Sequence, residues 1–215
     1  MFGKTVREAK SDMIAVSHKL LYQGGFIREL SAGRYEILPL GMKVMNKLID
    51  MIDKEKIEVK LKNLKVDYKF VPLPADLPLD TESHVRFLGI KISEATPTII
   101  YETEKGFIAA QKCMDGKINE SKLKKLVGVS KLVFATKEQL DKLDIEKGTV
   151  PLTGLDIQYF TDNRVLEQKT IYGGSGSRLF NLSINPYDLV RLNKAIIGEF
   201  TDHSAVVEED LIKSK

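Results

Sequence analysis

An α+β fold, built on a mixed β-sheet and preceded by a smaller helix-and-strand appendage, is what this 215-residue sequence predicts. Three observations carry that expectation. From residue 81 onward, short apolar and aromatic runs of strand length alternate with capped helical segments, the pattern of a sheet accompanied by helices. A proline-rich bend, Val71 to Pro78, interrupts the chain after its first third, and three prolines in seven residues cannot occupy a helix interior. Two glycine-rich stretches, 148–154 and 173–177, then sit among strand-like runs, where they bring main-chain groups close to whatever lies beside them. The expected organisation is an N-terminal segment over 1–75, a main domain over 76–200 and a tail over 201–215.

Composition bounds the function classes. Hydrophobic residues at 43% and charged residues at 29% suit a soluble globular protein, and no apolar run approaches the roughly 20 residues that span a bilayer. The opening MFGKTVREAKSDMIAV has no apolar signal-peptide core, so a cytoplasmic location is expected. Cys113 stands alone, which rules out an internal disulfide, and no Cys/His cluster has metal-ligand spacing. No metal or other cofactor is expected. His18, His84 and His203 are far apart in sequence, which weakens a histidine-based mechanism without excluding one. The net charge is only +3, yet lysines gather in 54–69 and 117–131, either as a face for nucleic-acid phosphate or as solvated helix surfaces.

In chain order, a helix is expected over about 8–24, with Ile14, Val16, Leu20 and Leu21 apolar and Gly24-Gly25 as the stop. A second helix runs to about Lys54, with Leu40, Val44, Leu48, Ile49 and Ile52 on one side, a face that calls for a partner surface. Beyond it, alternating Ile57, Val59 and Leu61 suit a strand. After the proline bend, Thr81 caps a helix that Gly89 ends. Residues 98–103 and 107–111 form a hairpin around Glu104-Lys105-Gly106. Asn119 caps a helix ended by Gly128, residues 131–135 read as a buried strand, and Thr136 with Gln139 starts another helix. Residues 156–160, 169–172 and 179–184 read as strands. Asn185, Pro186 and Asp188 then supply the N-cap, the first helical position and an acidic first turn of a last helix. The run Gly173-Gly174-Ser175-Gly176-Ser177 is either a ligand-cradling loop or a flexible hairpin turn.

Two stretches carry resemblances. Residues 17–47, SHKLLYQGGFIRELSAGRYEILPLGMKVMNK, closely resemble the N-terminal part of prolyl-tRNA synthetase, where such a segment leads into the dimer-forming first motif of class II synthetases. No ATP-binding motifs follow in this chain, so amino-acid activation is not expected of it. Residues 80–195 resemble the YbaK/ProX family of aminoacyl-tRNA deacylases, which also occur as editing insertions in bacterial prolyl-tRNA synthetases. The matching pieces are Asp115, Asn119, Lys122 and Leu123 in DGKINESKL, the Gly148–Pro151 turn with Gly154, the GGSGSR run, and Asn185 to Leu189.

The resemblance implies hydrolysis of the ester that joins a wrong amino acid to the 3′ end of tRNA, with proline tRNA carrying alanine as the expected substrate. It implies tRNA as partner, a synthetase or a second copy of the chain as further partners, and a site built on Gly148, Pro151, Gly173 and Gly174. Ser175, Gly176, Ser177, Arg178, Lys112, Asp115 and Lys122 would then contact substrate. One departure stands out: where the family usually places a lysine at the start of its first strand, this chain has Pro97, which has neither charge nor N–H donor. Lys91, Lys112 or Lys122 would have to substitute in space. Phe180 also stands near a position where relatives often carry histidine. The alternative is therefore a non-catalytic module of the same fold that grips tRNA or a synthetase.

Overall fold

The computed structural model describes residues 4–31, 34–63, 65–146 and 148–203. Two compact units divide at Ile52/Asp53. The first opens with α1, Val16–Gln23, which ends at Gly24 and turns through Gly25 in the left-handed region at φ 74°. An antiparallel hairpin follows, β1 (Ile27–Ser31) with β2 (Arg34–Ile37). The long helix α2, Pro39–Asn63, starts in this unit and finishes in the next. The expected apolar positions Ile14, Val16, Leu20, Leu21, Leu40, Val44 and Leu48 are all exposed. The side chains of Ile49 and Ile52 lie outside the described residues.

Residues 54–63 are therefore helical, where alternation suggested a strand. The spacing Ile57-x-Val59-x-Leu61 satisfies a period of two and an i, i+4 helical pair alike, and burial decides between them. Ile57 and Leu61 are buried, at 6% and 0% exposure, whereas Val59 between them is exposed at 58%. The two buried side chains join a core cluster with Val66, Leu152, Val165, Ile171, Leu182 and Leu189.

The second unit holds a five-stranded mixed sheet and a three-stranded antiparallel one. In the larger sheet, β4 (Thr98–Thr103) and β5 (Gly106–Gln111) form the expected hairpin, and β8 (Gln158–Asp162) runs parallel to β5. β11 (Ile196–Gly198) extends the sheet parallel to β8, and β7 (Val133–Phe134) closes the other edge antiparallel to β4. Alternation along the strands sends Ile100, Ala109 and Tyr159 into one core cluster and Tyr101, Ile108, Ala110 and Phe160 into another. The expected buried strand 131–135 shortens to the two-residue edge strand β7, with both residues exposed. An edge strand has a partner on one side only, so its apolar residues need not be buried.

The smaller sheet has the order β3 (Tyr68–Pro72), β10 (Phe180–Ile184), β9 (Ile171–Gly174). Tyr68–Pro72 thus pairs inside the second unit, so the chain enters that unit's sheet before the proline bend rather than after it. Helix boundaries follow the sequence closely. α3 is Thr81–Leu88, and its cap lies one residue earlier than the expected Thr81, at Asp80, whose carboxylate accepts the Ser83 N–H at 2.8 Å. α4 (Glu120–Val127), α5 (Lys137–Lys142) and α6 (Pro186–Asn193) start at the expected caps Asn119, Thr136 and Asn185. Buried Asp162 fastens the chain beyond α6, accepting the N–H groups of Phe200 and Thr201 at 2.9 Å each. β12 (Thr201–His203) then pairs with β6 (Gly116–Ile118), and the rest of the expected tail lies outside the described residues. Among the described residues, no helix is long and apolar enough to cross a membrane.

Candidate active site

A cleft of about 160 Å³ lies between α3, the segment 95–98, the turn at 148–150 and β9. Its helical wall comes from Thr81, His84, Val85 and Leu88, which the i, i+3, i+4, i+7 spacing places on one face of α3. The helix holds that register between the Asp80 cap and Gly89, whose φ of 64° lets the chain turn back.

The opposite wall is main chain. The Tyr172 carbonyl accepts the Thr96 N–H at 2.7 Å, and the Gly174 carbonyl accepts the Leu152 N–H at 2.8 Å. Both bonds leave the edge of β9 that faces away from β10. Because main-chain polar groups alternate along a strand, the Gly174 N–H shares that edge, while the Gly173 N–H turns toward β10. Gly173 and Gly174 are thus strand residues rather than part of a loop, and they are glycine for lack of space. A β-carbon on Gly174 would lie 2.1 Å from the Val150 carbonyl oxygen, and one on Gly173 would lie 2.6 Å from Leu152 and from the Thr96 carbonyl. Gly148 is glycine for another reason, its φ of 95°.

The lining is apolar apart from a few groups, and among the described residues no Lys, Arg, Asp or Glu takes part in it. Three lining residues hold a buried side-chain polar atom that finds no hydrogen-bond partner among the described residues: Nε2 of His84, Oγ1 of Thr96 and Oδ1 of Asn181. Burial pushes the His84 imidazole below its ordinary value, against smaller upward pulls from the Asp80 carboxylate and a hydrogen bond to the Pro78 backbone. His84 is therefore neutral at pH 7.

Of the residues expected at a site, Gly148, Gly173 and Gly174 meet in this cleft, and so does Pro97. The others lie elsewhere. Pro151 and Gly176 border a separate depression with Ile57 and Ile145. Ser175 is fully buried, and its hydroxyl donates to the Phe180 carbonyl at 2.7 Å, tying the hairpin together. The Ser177 hydroxyl accepts the Leu179 N–H at 3.0 Å. Exposed Arg178 pairs with Glu146 at 2.8 Å.

Neither the lysines nor Asp115 reaches the cleft. Buried Lys112 donates to the Cys113 and Met114 carbonyls at 3.1 and 3.3 Å, and burial lowers its pKa. Asp115 receives both arms of the Arg164 guanidinium, at 2.9 and 3.0 Å. Lys122 pairs with Glu199 and Asp202 on the surface. Lys91 is exposed and also absent from the lining, so none of Lys91, Lys112 and Lys122 stands in for the lysine that Pro97 replaces. Burial drives the Cys113 thiol up to about 12, which leaves it unreactive. Among the described residues, no group of three or more His, Cys, Asp or Glu side chains is placed to hold a metal ion.

His84, Thr96 and Asn181 were not singled out from the sequence. For His84 a signal was present: Thr81, His84, Val85 and Leu88 share one face of a well-capped helix, so a polar group sits in an otherwise apolar stripe. For Thr96 and Asn181 there was none, since their convergence depends on the pairing of β10 with β9 and of Thr96 with Tyr172.

Known proteins place this arrangement. Proline–tRNA ligase of Lactobacillus acidophilus is 42% identical over 78 residues, 35% of this chain and 13% of the ligase. The ligase of a Sulfurihydrogenibium species is 53% identical over 53 residues, 25% of this chain and 9% of the ligase. That of Caldicellulosiruptor bescii is 30% identical over 131 residues, 60% and 22% of the two chains. The matched stretches thus span between about a tenth and a fifth of the length of these relatives. A crystal structure described as a candidate trans-editing enzyme for prolyl tRNA synthetase superposes with a TM-score of 0.62 at 18% identity, covering 70% of this chain and 97% of the other. A hypothetical protein of known structure gives 0.64 at 23% identity, covering 68% and 99%. Both share the mixed-sheet fold described above. Residues 79–192, which contain the whole cleft and more than half of the sequence, match the aminoacyl-tRNA editing domain, and the chain belongs to that family.

Proposed function

We propose that the chain is an aminoacyl-tRNA deacylase that hydrolyses proline tRNA charged with a small wrong amino acid, alanine foremost. The cleft carries this reading. Its volume of about 160 Å³ equals roughly five waters at ~30 Å³ each, room for a small aminoacyl group with the adenosine left outside. An aminoacyl ester is already activated, so its hydrolysis needs a placed water and donors for the developing oxyanion more than a strong acid. The Gly174 amide, on the edge of β9 that faces away from β10, and the Gly148 turn are the main-chain groups suited to that task. An apolar pocket separates near neighbours by only about 1–3 kcal/mol per methylene, which is the reason a second sieve for alanine is useful beside a site that selects proline.

In this reading, the first unit, with its exposed Leu40, Val44 and Leu48, docks on a synthetase or on another copy of the chain. A second reading rests on Pro97: without the usual lysine, the fold binds the tRNA acceptor end and leaves the ester intact. The deciding experiment is deacylation of proline tRNA charged in turn with alanine, serine, cysteine and proline. Alanine released above the spontaneous rate, with prolyl-tRNA spared, is expected; tRNA binding without release of any amino acid would leave only the second reading.

A further inference from the structure

The three unpartnered polar atoms of the cleft form a set whose chemistry goes beyond main-chain glycine donors. We propose that His84 is the general base of this site, its Nε2 taking a proton from the water that attacks the aminoacyl ester, while Thr96 Oγ1 and Asn181 Oδ1 accept hydrogen bonds from the substrate's α-ammonium group. This rests on the deacylase reading and assigns its missing side-chain chemistry.

Buried polar atoms in folded proteins are nearly always paired, so three orphans in one cleft mark a place where a ligand brings the partners. Thr96 and Asn181 are 0% and 4% exposed, so solvent does not serve them. Both offer oxygen lone pairs, the complement of an ammonium with three donors. Among the described residues Nε2 of His84 has no partner, and the pull of the Pro78 backbone on the ring favours the tautomer that the base needs, with the proton on Nδ1 and the lone pair on Nε2.

The charge environment agrees. Among the described residues the carboxylate whose charge acts on the ring is Asp80, the cap of the same helix, and the facing segments 95–98, 148–150 and 172–174 bring Tyr172 as their one titratable side chain. A lysine at position 97 would border the same cleft as the imidazole, and Pro97 leaves it neutral. The proton and bond count closes. The water oxygen bonds to the ester carbon and its proton passes to Nε2. Collapse of the tetrahedral adduct breaks the bond to the ribose oxygen, which takes that proton from the imidazolium. The products are the free amino acid, tRNA with its hydroxyl restored and neutral His84.

The test is the pH dependence of single-turnover and steady-state deacylation of alanyl-proline tRNA, from roughly pH 5 to 8, for the parent and for His84→Gln. The parent rate should fall about tenfold per pH unit below a midpoint under ~6.5, the ordinary imidazole value. His84→Gln should lose about 100-fold in kcat with KM little changed, and should lose that limb. Parental kcat and an unchanged profile in His84→Gln would overturn the role of His84 alone, because turnover itself would persist. No hydrolysis by the parent would overturn the deacylase reading and this one together. Should the variant fail to fold, carbon-13 NMR of labelled histidines in the parent still decides: the His84 titration must coincide with the rate limb, and a mismatch overturns the proposal.

Discussion

The two walls of the cleft are made of different material. On the β9 side the surface is backbone: Gly173 and Gly174 lie so close to Leu152, Val150 and Thr96 that no side chain fits. On the α3 side it is side chain: Thr81, His84, Val85 and Leu88 project from a short helix with no fully buried residue. The strand wall is fixed by packing and the helix wall is free to vary. Substitutions in the first should therefore be felt as lost folding, and those in the second as altered chemistry.

The largest expected effect breaks the strand wall. Gly174→Ala puts a methyl 2.1 Å from a carbonyl oxygen that belongs to main chain and cannot rotate away. Relief requires moving the 148–152 turn, whose Leu152 N–H is bonded to Gly174 itself. A cost of about 3 kcal/mol is expected, the upper range for overpacking, measured as a shift in the denaturant midpoint. Activity lost in this variant would say nothing about catalysis. A stable, folded Gly174→Ala protein would show that the wall yields and that the contrast between the walls is wrong.

How far the sequence disclosed this site follows the same division. Local chemistry was legible: the caps at Asn119, Thr136 and Asn185, the hairpin of β4 and β5, and the left-handed glycines at 89 and 128 each depend on a few neighbouring residues. Two segments were not legible, for different reasons. Ile57-x-Val59-x-Leu61 fits both periods, and only the core around Leu182 and Leu189 makes the helix the one that buries Ile57 and Leu61. Gly173 and Gly174 look like a flexible run with the glycine and serines that follow, yet their pairing with Leu182 and Asn181 makes them a strand. Close approach between segments distant in sequence leaves no local mark beyond the glycine itself. For that reason Gly148, Gly173 and Gly174 were expected at the site, while Thr96 and Asn181, which only tertiary pairing brings there, were not.

A smaller effect probes the segment hydrogen-bonded to the strand wall. Pro97→Lys restores the cation that the family usually carries at a position lining the cleft, and Pro97 is half-buried with no N–H bond to lose. If the new ammonium meets a phosphate at the tRNA acceptor end, affinity rises, and the gain shrinks about threefold between 50 and 200 mM salt, as one added phosphate contact requires. Filter binding at the two salt concentrations reads this directly. A gain that does not depend on salt would place the lysine on something other than phosphate.

The smallest effect belongs to the helix wall and tunes it without breaking it. Asp80 accepts the Ser83 N–H at 2.8 Å and the Ser83 hydroxyl at 2.8 Å, and its negative charge is the main group pulling the His84 pKa upward against burial. Asparagine caps a helix about as well as aspartate, so Asp80→Asn should keep α3 while removing the charge. Without that pull the imidazole titrates lower, stays neutral to more acid pH, and moves the acid limb of the deacylation rate down. The charge sits near the surface, where solvent and salt screen it, so raising the ionic strength should shrink the displacement of the limb. The rate above pH 7, where His84 is already neutral, should not change. A limb that stays in place while the histidine NMR titration moves would separate the limb from His84, and the helix wall would then be a lining surface with no proton to give or take.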